Sequence, residues 1–155
     1  MLRFRQSAIL FFVTYVATVC PVAAQTNSTV TVVLAANLGS FLAMHKGPVL
    51  DVRMPGDCDE NRRLRRTSTA IGFDFGADNP DGRKMARDLF LSEFKASSRM
   101  STAAKRGETI LVVCCAGGRS EAAAALLSGN GWKVAHVPGG MQSDAIPASV
   151  LRAQR

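Results

Sequence analysis

The feature that most constrains the fold is the junction of one apolar run with one helix-forming run. Ile110-Leu111-Val112-Val113 leads through Cys114-Cys115-Ala116-Gly117-Gly118-Arg119 into the Ala- and Leu-rich stretch Ser120 to Ser128. A strand that is apolar at every position must be covered on both faces, which is the habit of strands inside parallel sheets. A strand running into a helix through a short glycine loop is the first half of a strand–helix–strand unit. The returning strand is in place at Lys133 to Val137, closed by the turn Pro138-Gly139-Gly140.

Other segments repeat the alternation. Thr29 to Val33 reads as a strand, and Leu34 to Met44 carries apolar residues at helical spacing. Pro48 to Val52 reads as a short buried strand ending in the polar turn Arg53-Met54-Pro55-Gly56-Asp57, and Ala70 to Phe75 as a further strand. The turn Asn79-Pro80-Asp81-Gly82 opens a helix from about Arg83 to Ser97, on which Met85, Leu89, Phe90 and Phe94 form an apolar stripe. Strands alternating with helices predict an α/β fold, a mostly parallel central sheet flanked by helices on both faces.

Residues 1–24 stand apart from this pattern. Arg3 and Arg5 precede an apolar or small run from Ala8 to Val19, and Val22-Ala23-Ala24 sets small residues ahead of Gln25, the layout of a cleavable export signal. The run is short for a membrane span, which needs about 20 residues. The expectation is a signal peptide over 1–24 and a single domain over 25–155 with its core at about 29–142, exported to a periplasm, with no stable membrane span after cleavage. Loss of Arg3 and Arg5 takes the formal charge from +7 to +5. A mildly basic surface without interleaved aromatic residues gives no ground for nucleic-acid binding.

Three of the four cysteines, Cys58, Cys114 and Cys115, lie beyond the leader. An odd number in an exported protein leaves at least one thiol outside a pair. No Cys/His cluster has zinc spacing, and His45 and His136, far apart in sequence, read as surface or loop histidines. Neither a metal nor another cofactor is expected.

Cys114 is placed at the carboxyl end of the buried strand, where sheets of this kind bind ligands. Gly117 and Gly118 let the backbone curl, and the helix that follows turns its free N–H groups toward the loop. A thiolate there is stabilised by backbone amides, by the helix N-terminus and by Arg119, which makes Cys114 a nucleophile. Loop length decides what the cradle accepts. Cysteine phosphatases use C-x5-R, whereas Cys114 to Arg119 is C-x4-R.

That loop resembles the rhodanese family of sulfurtransferases, whose active loop is C-x-x-G-x-R followed by Ser or Thr: Cys114, Gly117, Arg119 and Ser120 match it position for position. Val49-Leu50-Asp51-Val52-Arg53 is similar to the family's "DVR" strand, and Gly131 to Met141 to its strand and Gly-Gly turn after the active helix. The family's Gly-His-Ile-like segment has only Thr69 to Gly72 in its place, its tryptophan after the Gly-Gly turn is replaced near Ser143-Asp144, and Asn61 to Arg66 looks like an insertion.

The resemblance implies a rhodanese-like fold and a persulfide relay without cofactor. Cys114 would carry the sulfur, the amides of Cys115, Ala116, Gly117, Gly118, Arg119 and Ser120 would hold it, and Arg119 would steady an anionic donor such as thiosulfate. Cyanide, a small thiol or a protein would accept it. Asp51 and Arg53 would brace the loop or the fold rather than react. Cys115 is either an inert side chain facing the core or a resolving thiol, and Cys58 is a candidate to bridge Cys114 or Cys115. Arg62-Arg63-Leu64-Arg65-Arg66 reads as a solvated loop, with an acidic partner or an anion funnel as the sharper alternative. Against the enzyme stand two other functions: a non-catalytic rhodanese-like module that binds a partner protein, and a periplasmic thiol-redox protein.

Overall fold

The computed structural model describes residues 29–58, 62–66, 68–74 and 79–152; the leader assigned to 1–24 lies outside the described residues. Among the described residues five strands form one parallel sheet: β1 (Thr31–Val32), β2 (Val49–Asp51), β3 (Ser68–Ala70), β4 (Ile110–Val113) and β5 (Val134–His136), in the order β1-β5-β4-β2-β3. The helices are α1 (Leu38–Met44), α2 (Pro80–Ala96), α3 (Ser98–Lys105) and α4 (Gly118–Gly129), with single 3-10 turns at Ala35–Asn37, Gly140–Gln142 and Ala148–Val150.

Side chains along β4 alternate between two apolar layers, as the two-residue period of a strand requires. Ile110 and Val112 join Leu50, Val52, Phe90, Phe94, Met100, Ala123, Ala124 and Leu127 beneath α2, α3 and α4. Leu111 and Val113 face the other way, with Leu38, Val49, Ala135, Val137, Met141 and Ile146, beneath α1 and the C-terminal turns. Both faces of the sheet are therefore covered.

α2 begins at Pro80 because its missing N–H costs nothing at the first helical position, and the Asn79 side chain accepts from Gly82 N at 2.6 Å. Its apolar stripe is narrower than the sequence predicts. Phe90 and Phe94 are buried, but Met85 and Leu89 are 70% and 60% exposed. β3 lies earlier than the strand expected at Ala70 to Phe75; Ile71 and Phe73 still donate to the carbonyls of Asp51 and Val52 before the chain leaves the sheet. α3 has no counterpart among the sequence expectations. Its marks were present in Ser97, whose Oγ accepts from Met100 N, and in the buried pair Met100 and Ala103.

Two further expectations are corrected. His136 is no surface residue: it sits in β5, an interior strand between β1 and β4, and is buried. The basic stretch is no free solvated loop either. Leu64 is buried and bridges Leu151, Arg62 donates to Ser143 O, Arg65 to Leu151 O, and Arg66 to the carbonyls of His45 and Lys46. The arginines serve as hydrogen-bond straps to the C-terminal segment and to the loop before β2.

Candidate active site

The strand order creates the site. From β2 the chain continues outward to β3, whereas from β4 it continues to β5 on the opposite side. Loops leaving neighbouring strands in opposite directions open a crevice at the carboxyl ends. The loop after β2 brings Arg53, Asp57 and Cys58 to it, and the loop after β4 brings Cys114, Cys115 and Arg119.

Cys114 follows the last residue of β4 and retains 2% of its surface. Two amides converge on its sulfur, Gly117 N at 3.1 Å and Ser120 N at 3.3 Å. Its thiol also lies 3.5 Å from Ser120 Oγ, which in turn donates to Gly117 O at 2.8 Å. The curl depends on Gly117, which caps α4 at φ 100°; a Cβ there would stand 2.6 Å from Gly139 N. The turn after β5 clasps the loop from outside, because Met141 N donates to Cys114 O at 2.8 Å and Gln142 N to Cys115 O at 2.9 Å. That approach requires glycine at 140, since a side chain at its φ of 59° would run into both carbonyls.

Asp51 and Arg53 form a bidentate ion pair, with Arg53 Nε 2.9 Å from Oδ1 and Nη2 2.7 Å from Oδ2, and both side chains only 8% exposed. Arg53 Nη1 reaches Arg62 O at 3.3 Å, tying the loop after β2 to the basic strap. Asp57 folds back on its own turn, accepting from Met54 N at 2.5 Å, and its carboxylate pairs with Arg119 across the crevice. Beside it, Cys58 and Cys115 are joined in a disulfide with a Cα–Cα distance of 6.0 Å, leaving Cys114 as the free cysteine among the described residues. A cavity of about 160 Å³ is lined by Asp51, Arg53, Met54, Pro55, Cys58 and Ala70, among others.

No family model and no curated protein matches the sequence. Solved structures do match. Reduced Bacillus anthracis CoADR-RHD is 22% identical with a TM-score of 0.51, covering 79% of this chain, which spans 18% of that protein's length. A rhodanese-like domain protein from Staphylococcus aureus is 21% identical with a TM-score of 0.49, over 81% of this chain and 99% of that one. A rhodanese-related protein from Thermoplasma volcanium is 25% identical with a TM-score of 0.45, over 76% and 95%. The fold is that of a rhodanese-like domain.

Within this rhodanese-like domain, the residues expected at the site meet in part. Cys114, Gly117 and Ser120 converge, with the Gly117 and Ser120 amides aimed at the Cys114 sulfur. Cys115 turns away into its disulfide, and the Arg119 guanidinium is held by Asp57. α4 begins at Gly118, two residues ahead of the expected start at Ser120, because Gly117 takes the cap. Of the two bridges considered for Cys58, the rhodanese-like domain forms the one to Cys115. Sequence reasoning missed Asp57, which looked like one more polar turn residue. Nothing local marks it, because its partner Arg119 is 62 residues away.

Proposed function

We propose that this chain is a single-domain sulfurtransferase that carries sulfane sulfur as a persulfide on Cys114. The observation that carries the proposal is the pair of amides, Gly117 N and Ser120 N, aimed at the Cys114 sulfur inside a C-x4-R-S loop. Such donors stabilise the negative charge that develops on sulfur during transfer.

In the first half-reaction the Cys114 thiolate attacks the outer sulfur of thiosulfate. A new S–S bond forms, the S–S bond of the donor breaks, and sulfite departs with the electron pair. In the second, a cyanide or thiol acceptor attacks the outer sulfur of the persulfide, and the Cys114 thiolate is restored. Arg119 balances the charge of the donor. In this reading residues 1–24 serve as an export leader, and the protein's partners are a small anionic donor and a thiophilic acceptor, small or protein-borne.

The test is the intact mass of the chain lacking residues 1–24, fully reduced and then freed of reductant, before and after thiosulfate and again after cyanide. One added sulfur atom that cyanide removes and Cys114→Ser abolishes is the expected result. A reduced Cys114 that gains no sulfur turns the assignment to a partner-binding module. N-terminal sequencing of protein recovered from an exporting host is expected to start at Gln25.

A further inference from the structure

The sulfur chemistry proposed above needs two things that this structure withholds: a reachable Cys114 and an Arg119 open to an anion. Cys114 is buried at 2% exposure. The Arg119 guanidinium already holds a carboxylate, that of Asp57. An incoming dianionic donor would have to displace that carboxylate while being repelled by it.

What keeps Asp57 there is covalent as well as electrostatic. Its neighbour Cys58 is bonded to Cys115, the residue that follows the nucleophile. The Asp57 carbonyl oxygen also lies 3.6 Å from the Cys115 sulfur, so the 54–58 turn is laid directly against the active loop. The turn is closed on itself by Met54 N to the Asp57 carboxylate and by Asp57 N to Met54 O at 3.2 Å. Cys58 is the half-buried partner of the disulfide and lines the cavity of about 160 Å³, whereas Cys115 is buried. Cys58 is thus the partner of the disulfide that lines the cavity, and Cys115 is not among its lining residues.

We infer that the Cys58–Cys115 disulfide is a redox-exchangeable latch: a dithiol reductant opens it at Cys58, the 54–58 turn releases Asp57 from Arg119, and the Cys114 site becomes accessible to its anionic donor. The inference rests on Cys114 as the sulfur carrier. In the exchange, a thiolate of the dithiol attacks Cys58 Sγ, the Cys58–Cys115 bond breaks, and Cys115 leaves as a thiolate that takes up a proton. The second thiol of the reductant then attacks its own sulfur in the mixed disulfide, so that Cys58 leaves as a thiol and the dithiol departs oxidised. Two electrons pass from the dithiol to the latch, and Cys114 changes neither its redox state nor its bonds. An exported protein that arrives oxidised would then transfer sulfur only where a dithiol reductant is supplied.

The experiment compares the disulfide-intact protein with protein reduced by dithiothreitol and desalted without air. Two rates are read in each form: alkylation of Cys114 by iodoacetate, resolved from Cys58 and Cys115 by peptide fragmentation, and gain of one sulfur atom from thiosulfate. The reduced form is expected to be faster at Cys114 by about tenfold or more in both, the scale set by one hydrogen-bonded charge made available. Asp57→Asn in the oxidised form should recover a large part of the alkylation rate, and Cys58→Ser should react at the reduced rate without any reductant. Equal alkylation of Cys114 in the two forms, or faster alkylation in the oxidised one, overturns the latch. Fast alkylation of the reduced form without sulfur gain retains the latch and removes the sulfurtransferase.

Discussion

Replacing Arg53 by methionine isolates the bracing role of the buried pair. Asp51 and Arg53 meet through three N–O distances of 2.7, 2.9 and 3.1 Å, and each side chain is only 8% exposed. With water largely excluded, removal of the arginine leaves the Asp51 carboxylate in the sheet without its counter-ion and deprives Arg62 O of a donor. Breaking such a pair on one side costs about 3–5 kcal/mol. At roughly 3–4 °C per kcal/mol for a chain of this size, the midpoint of thermal unfolding should fall by about 10–20 °C. The double variant Asp51→Leu/Arg53→Met removes both charges at similar volume and should return most of that loss, because a buried ion pair and a well-packed apolar pair are close in free energy. Urea unfolding followed by circular dichroism at constant pH measures both. A loss below about 1 kcal/mol for Arg53→Met, the value of a surface pair, or a double variant no more stable than the single one, refutes the reasoning.

Other outcomes follow from the same geometry. Gly140→Ala should cost about 2–4 kcal/mol, since it adds a left-handed penalty of about 1–2 kcal/mol to a collision with backbone carbonyls that cannot move aside, while Gly129→Ala, where a methyl meets nothing within 4 Å, should change the unfolding free energy by less than about 1 kcal/mol. Reduction of Cys58–Cys115, which spans 57 residues, should lower the unfolding free energy by about 4 kcal/mol, read from urea midpoints with and without reductant. The pKa of His45 is held below its ordinary value of 6.5 chiefly by burial and further by nearby Arg66, against the opposing influence of Pro48 O and Glu108. A depressed folded value means that the stability due to its neutral form is complete above 6.5 and is lost as pH falls below it. His45→Asn should therefore flatten the decline in unfolding free energy between about pH 7.5 and about pH 5, and an unchanged slope would contradict the assignment.

Most of the sheet was legible because its strands carry their own instructions. Four consecutive apolar residues at Ile110–Val113 have no exposed face to offer, so burial on both sides, and with it a parallel interior strand, follows from composition alone. The candidate site was legible where its parts are contiguous: Cys114, Gly117, Arg119 and Ser120 lie within one loop, and glycine at 117 answers a local conformational demand. Elements with weak local signal were lost or shifted. α3 is short and polar on much of its surface, β3 is held by its neighbour β2 more than by its own side chains, and Met85 and Leu89 look like core until the packing direction of α2 is known.

The sequence by itself determined the alternation of strands and helices and the loop that aims amides at a thiol, because each depends on neighbours along the chain. Only the tertiary structure decided which cysteine stays free and which residue occupies Arg119. Those outcomes are settled by the strand order, which sets the loop after β2 beside the loop after β4 and so brings Asp57 and Cys58 within reach of residues that lie 57 or more positions away. Local rules extend over about one helical turn or one hairpin, and a crevice formed by opposed loops has no signature at that range.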